Sequence, residues 1–339
     1  MWIESPSNPT LRIIDIPRIV SLARSHPSRP LVVIDNTFMS PFYQSPLLLG
    51  ADVVVYSLTK YFNGHSDVVM GAAILPTHHI ALAQKIRFLQ FAHGAVPSAF
   101  DCWLAQRGAK TLHLRMKAHG VNALKVAQAL ERSPYVEEVI YPGLASHPRN
   151  AIARRQLSPH AKRFVDGLQD GCSEAVQGGI PYGGVVTFRI RGGATEANAF
   201  LTATRLFALA ESLGGVESLA EVPGQMTHAS IPEAERAALG IDDSLIRLSV
   251  GVEEGEDLVA DIEQALEVAV GGVKREPLFV PNPLNLDSNA DSDSEAEVEP
   301  HPPVLGRLMP ASSTKVFSWW GILLMMLAQW WAFVRGLFY

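Results

Sequence analysis

Lys60 closes the stretch Val53-Val54-Val55-Tyr56-Ser57-Leu58-Thr59-Lys60, which continues as Tyr61-Phe62-Asn63-Gly64-His65. The β-branched run reads as a buried strand, and Asn63-Gly64 as the turn that stops it. A lysine just past such a strand sits where open α/β sheets collect ligands. Desolvation there favours the neutral amine, the form that builds a Schiff base. A second apolar run, Leu31-Val32-Val33-Ile34, ends at Asp35-Asn36-Thr37. It sets a carboxylate at another strand end.

A lysine for an aldehyde and an acid for a ring nitrogen are what a pyridoxal phosphate (PLP) site requires. The acid keeps the pyridine nitrogen protonated, and the ring then works as an electron sink. Lys60 and Asp35 suit those two roles. Taken singly, each has a plainer reading: strand-end aspartates often cap, and most lysines are solvated.

The elements that must position them follow from periodicity. Asp15–His26 reads as a helix, and Leu31–Ile34, Val53–Ser57 and Ala72–Leu75 as strands. His79–Leu89, Ser98–Arg107 and Lys110–Arg132 read as helices, the last leading into a second domain. That domain opens with the strand Val136–Ile140, adds strands at Gly183–Ile190 and Leu245–Val250, and closes with the amphipathic helix Asp257–Val270. The glycine-containing stretch Gly167–Gly184 matches no motif and is expected to be a surface insertion.

Several phrases recur in one order: Trp2-Ile3-Glu4-Ser5-Pro6-Ser7-Asn8-Pro9, Val33-Ile34-Asp35-Asn36-Thr37-Phe38, Tyr56-Ser57-Leu58-Thr59-Lys60-Tyr61 and Ser66-Asp67-Val68-Val69-Met70-Gly71. Ala210-Glu211-Ser212-Leu213-Gly214-Gly215, Met226-Thr227-His228 and Ile246-Arg247-Leu248-Ser249-Val250-Gly251 follow. Together they resemble the PLP-dependent transsulfuration enzymes of cysteine and methionine metabolism, from Met1 to about Val270. The resemblance implies an α/β chain of the aminotransferase-like (type I) fold. A PLP-binding large domain over 1–112, incomplete at its N-terminus, would precede a smaller α/β domain over 113–272.

By the same resemblance, Lys60 would carry PLP and Asp35 would pair with the pyridinium nitrogen. Ser57 and Thr59 would bind the phosphate, and short hydroxyl donors beside the lysine suit that. Asn8 would contact the phenolic oxygen, with Thr37 near the ring. Arg247 would grip the substrate α-carboxylate through its bidentate fork. Ser212 and Glu211 would line the substrate pocket, and the acid before the serine is more similar to the lyases than to the synthases. The implied reaction is cleavage of L-cystathionine to cysteine, 2-oxobutanoate and ammonia in a cytoplasmic homo-oligomer. The rivals are a cystathionine gamma-synthase, a methionine gamma-lyase, or a non-catalytic membrane-tethered remnant. The resemblance also places Met1 inside the cofactor domain. The stacking aromatic, part of the phosphate cradle and the residues lent to a neighbour are therefore expected to be missing, and activity of the chain alone to be impaired.

Without that resemblance, Arg247 would read as an arginine with its stem along a strand face. His65, His93 and His228 would read as hydrogen-bonded structural histidines, and Gly214-Gly215 as a backbone turn. No metal-ligand spacing occurs among the histidines and cysteines, so no metal is expected. The chain has 339 residues, 47% of them hydrophobic, and a formal charge of −6. That is room for two domains, with no sign of nucleic-acid binding. Cys102 and Cys172 make no disulfide framework and suit a reducing compartment. Trp2-Ile3-Glu4-Ser5-Pro6 lacks a basic region and an apolar run, so no signal peptide is expected there.

Beyond residue 272 the composition changes. Residues 273–315 are rich in Pro, Asn, Asp, Ser and Glu, which predicts a disordered acidic linker. Val316–Val334 is uncharged, with tryptophan pairs toward each end and Lys315 and Arg335 flanking it. Roughly 20 such residues span a bilayer as a helix. Residues 316–339 are therefore expected to form an apolar tail able to act as a membrane anchor.

Overall fold

The computed structural model describes residues 1–170 and 178–272. They belong to one compact unit that carries two sheets. The expected linker and apolar tail over 273–339, and Cys172, lie outside the described residues. No helix among the described residues is long and apolar enough to cross a membrane.

The first sheet has the order β1 (Trp2–Glu4), β2 (Val33–Asp35), β3 (Val53–Ser57) and β4 (Gly71–Ile74). The first three strands are parallel, and β4 runs antiparallel to β3. Helix α1 (Ile16–Ser25) connects β1 to β2 and buries Ile16, Val20 and Ala23 against Ile3, Val32, Ile34 and Ala51. Its start is fixed by Asp15, whose carboxylate accepts the Arg18 N–H at 3.3 Å, and by a proline in the first turn. Burying Ile16 and Val20 contributes about 2 kcal/mol each. The pairing aligns Glu4 with Asp35 and Asp35 with Val55. Three parallel strands thus bring their carboxyl ends, and the groups on them, to one edge.

A short helix α2 (Ser40–Tyr43) follows β2, and α3 (Ile80–Ala92) follows β4. The two helices expected at Ser98–Arg107 and Lys110–Arg132 are one continuous helix, α4 (Ala99–Arg132). Gly108, which lies in the gap between the two expected helices, makes a contact. It is buried against the turn after β3, where an added Cβ would collide with the Asn63 carbonyl oxygen. A helix-interior glycine is tolerated where a second backbone must approach this closely.

The second sheet has the order β5 (Val136–Ile140), β6 (Val185–Ile190), β9 (Leu245–Ser249), β8 (Leu219–Glu221) and β7 (Ala208–Leu209). Only β7 and β8 pair in parallel. Helix α5 (Asn150–Arg155) and helix α6 (Pro159–Asp170) lie between β5 and β6, α7 (Ala194–Ala203) before β7, α8 (Glu233–Leu239) before β9, and α9 (Gly255–Ala269) after it. Leu124 and Leu130 of α4 share one core with Phe188, Phe200, Ile246, Leu248 and Ile262.

The surface insertion expected at Gly167–Gly184 is corrected at its end. Ile180 and Tyr182 are buried, and Gly179 bridges Leu144. Gly179 lies so close to Leu124 that a Cβ would approach its Cδ1 to 2.7 Å. Residues 171–177 of that stretch lie outside the described residues.

Candidate active site

The chain leaves β3 through a π-type turn, Leu58–Phe62, in which Lys60 takes a non-helical backbone at φ −88° and ψ −136°. The turn is held from behind by Arg115 of α4. Its guanidinium donates to the carbonyls of Tyr61 at 2.6 Å, Phe62 at 3.1 Å and Gly108 at 2.8 Å. Burial pulls the Arg115 pKa down to about 10, still well above neutrality. Gly64 completes the turn with φ +75°, beside that guanidinium.

Lys60 Nζ donates to Ser212 Oγ at 2.6 Å. Burial lowers the lysine pKa, and the positive charge of Arg247 lowers it further, against Glu221 and Glu211. Ser212 has φ +98°, a conformation a side chain rarely adopts. Arg247 Nη2 donates to its carbonyl at 2.7 Å while Lys60 holds its hydroxyl. Gly214, at φ +80°, lets this loop close on the lysine turn, since a Cβ there would meet the Tyr61 nitrogen at 2.6 Å.

Asp35 ends β2, and its Oδ1 accepts the Thr37 N–H at 3.0 Å. Thr37 Oγ1 in turn accepts the Ser57 N–H at 2.8 Å. The two strand ends are thereby tied across β2 and β3. Asn36 turns away from the cavity and fixes the following loop through the Ser40 and Gln44 carbonyls.

Arg247 lies in the middle of β9 and is 2% exposed. Its strand neighbour in register is Glu221, 1% exposed. Nη1 reaches Glu221 Oε1 and Asn8 Oδ1, each at 2.9 Å. Thr227 Oγ1 also donates to Glu221 Oε1, at 2.9 Å. Arg247 Nε and Glu221 Oε2 are buried with no partner among the described residues. Burial raises the Glu221 pKa while Arg247 opposes the rise. A buried arginine facing a buried carboxylate is not a strand-face arginine with its head in water.

These groups line one cavity of about 360 Å³. Asn8, Asp35, Thr37, Ser57, Lys60, Glu211, Ser212 and Arg247 all face it. Thr59 does not line it, because its hydroxyl accepts the Met70 N–H at 3.0 Å. Sequence reasoning gave no role to Glu4, Glu221 or Thr227. Glu4 lines the cavity from the end of β1, beside Asp35. Strands as short as β1 and β8 carry no readable alternation, so periodicity gave Glu4 and Glu221 no signal, although Glu4 stands in the Trp2-Ile3-Glu4-Ser5 phrase. Thr227 had one, in the Met226-Thr227-His228 phrase. A desolvated amine, a strand-end carboxylate, a hydroxyl and a buried guanidinium with an unpartnered N–H are the donor set that PLP and an amino acid need. The residues present fit that cofactor.

The chain matches the Cys/Met metabolism PLP-dependent enzyme family over residues 1–177 and 174–267. It is 51% identical over 267 residues to a cystathionine gamma-lyase of Dictyostelium discoideum, covering 79% of this chain and 62% of that protein. The crystal structure of cystathionine gamma-lyase from yeast superposes with a TM-score of 0.70 at 45% identity, covering 79% of this chain and 63% of that one. Cystathionine gamma synthase from Xanthomonas oryzae pv. oryzae, solved in complex with cystathionine, gives a TM-score of 0.70 at 41% identity, covering 80% and 64%. The chain thus spans about three fifths of the length of these relatives.

Proposed function

The chain belongs to the Cys/Met metabolism PLP-dependent enzyme family, and from that premise we propose that it is the lysine-bearing part of a carbon–sulfur lyase. The reaction is cleavage of L-cystathionine, with uptake of one water, to cysteine, 2-oxobutanoate and ammonia. The observation that carries the reading is the convergence of Lys60, Asp35, Ser212 and Arg247, drawn from both sheets, on one cavity.

Bound PLP supplies the electron sink that stabilises negative charge at the substrate Cα. The protein does the rest. Lys60 is the attachment point, and its lowered pKa leaves a larger fraction of neutral amine at neutral pH. As a neutral amine, Lys60 Nζ would be the base that takes the substrate Cα proton. Ser212 Oγ accepts the lysine N–H and so aims the nitrogen. Asp35 presents a carboxylate to the ring nitrogen. Arg247, steadied by Glu221 and Asn8, takes the α-carboxylate and sets the direction of the Cα–H bond. Ser57 would offer the phosphate a hydroxyl, and Asn8 would contact the phenolic oxygen. Thr59, whose hydroxyl is engaged by Met70, would have to turn to join Ser57. With so few phosphate donors from the described residues, we expect weak PLP affinity and low turnover for this chain by itself.

A synthase or a methionine gamma-lyase would use the same groups, and the likeness to the Xanthomonas oryzae synthase supports keeping the first of these. Supplying PLP with L-cystathionine or with L-methionine separates the cystathionine lyase from the methionine enzyme. 2-Oxobutanoate and cysteine from cystathionine support the lyase. 2-Oxobutanoate from methionine alone points to the methionine enzyme. Cystathionine left intact by PLP-loaded protein overturns the lyase reading.

We further propose a cytoplasmic homo-oligomer, tethered through residues 316–334. A reporter fused to residues 303–339 that stays soluble after fractionation would overturn the tether, and with it the tethered-remnant alternative.

A further inference from the structure

We propose that Asp52, His78 and His79 form a binding site for one divalent transition-metal ion of the zinc, nickel or copper class, remote from the lysine cavity. One ligand atom from each lies within 4.8 Å of the others. His79 Nε2 and Asp52 Oδ1 are 2.9 Å apart, and the His78 and His79 rings lie 4.4 Å apart, centre to centre. Adjacent histidines match no metal-binding spacing, so the sequence alone gave no reason to pair them with a carboxylate. The fold supplies it. Asp52 immediately precedes β3, and Thr77–His79 form a tight turn that leads into α3. The Pro76 carbonyl accepts the His79 N–H at 3.0 Å and sets that turn.

Several features favour a metal site over a simple hydrogen-bonded pair. Ligands around one tetrahedral or octahedral ion at about 2.0–2.2 Å are roughly 3 Å apart, the separation His79 and Asp52 already have. Asp52 Oδ2 accepts the Val32 N–H at 2.8 Å, which orients the carboxylate as second partners orient metal ligands. The side chains of His79 and Asp52 are 22% and 20% exposed, and His78 is exposed, so an ion has access while the site stays anchored. His79 now donates through Nε2. The tautomer that carries its proton on Nδ1 leaves the Nε2 lone pair to an ion. Two imidazoles and one carboxylate select borderline transition metals over magnesium and calcium, which prefer oxygen ligands. Three protein ligands leave at least one position to water. The five residues of β3 separate Asp52 from the turn that carries Lys60, so roughly 17 Å of strand lies between the two sites.

A bound ion would clamp the start of α3 to the start of β3. Helix α3 buries none of its residues, so this clamp would govern its local stability. The test uses the full chain, titrated with Zn²⁺ and separately with Ni²⁺ against a chromogenic competing chelator. One equivalent should bind, weakening about tenfold or more in His78→Ala and in His79→Gln. Excess Mg²⁺ should not compete. Amide exchange over residues 77–92 should slow with Zn²⁺ in the parent chain and not in His78→Ala, an exposed change that leaves folding intact. The chain holds eleven histidines, so stoichiometry alone does not decide. Absence of stoichiometric uptake, or uptake that both variants retain, would overturn the site.

Discussion

Lys60 Nζ lies 2.6 Å from Ser212 Oγ, although 152 positions separate the two residues in sequence. One comes from the turn after the third strand of the first sheet. The other comes from a strained loop that Arg247 of the second sheet holds by its carbonyl. The cavity therefore exists only when the two sheets are packed together. Long helix α4 makes that packing rigid by contributing to the shared core and by gripping the lysine turn through Arg115.

Arg247 and Glu221 should act on Lys60 in opposite directions. Arg247 lowers the lysine pKa and Glu221 raises it. Glu221→Gln should therefore move the acidic limb of PLP attachment to lower pH, and Arg247→Met should move it to higher pH. Each change also leaves a buried partner unpaired, at a cost of about 3–5 kcal/mol, so stability is measured in parallel. Arg247→Lys should retain PLP and bind the amino-acid substrate poorly, because an ammonium cannot form two parallel hydrogen bonds. Shifts of the same sign in Glu221→Gln and Arg247→Met would refute this electrostatic account.

Arg115 is expected to be a positioning residue. Arg115→Met removes the donors to three carbonyls around the lysine turn. A loss of roughly 3 kcal/mol in urea unfolding should result. PLP attachment should slow as well, with its pH profile unchanged, since the charges that shift the lysine are Arg247, Glu221 and Glu211 and not Arg115. Wild-type stability together with wild-type attachment would remove Arg115 from the account.

His119 should make the fold acid-sensitive. It is fully buried in α4, its Nδ1–H donates to the Val250 carbonyl at 2.7 Å, and burial pulls its pKa down to about 4. Between that value and the unfolded pKa near 6.5, the unfolded chain binds a proton that the folded chain does not. Stability therefore rises with pH across this window and falls on acidification, by roughly 3 kcal/mol from this residue. His119→Asn keeps a donor and cannot titrate. Its stability should change less between neutral pH and pH about 4 than the parent's. Parallel curves would show that His119 does not titrate as described.

Much of the first sheet could be read from residues, for a physical reason. Val53–Val55 and Val33–Ile34 are apolar on both faces, as buried parallel strands must be. β1 was invisible because Trp2–Glu4 is too short for any pattern. The break placed near Gly108 failed because glycine there answers a tertiary contact, which no local rule contains. Asp35 and Lys60 were visible at their strand ends. Glu221, the buried counterion of Arg247, was not, because only cross-strand register puts the two side by side.

If Lys60 is the group to which PLP attaches, borohydride trapping will fix the cofactor there. The full chain is incubated with PLP, reduced, digested and mapped by mass spectrometry. The pyridoxyl adduct should appear on the peptide carrying Lys60, and the near-visible absorbance of lysine-bound PLP should vanish in Lys60→Ala. Adduct spread over surface lysines with Lys60 unmodified, or absorbance unchanged in Lys60→Ala, would contradict attachment at Lys60.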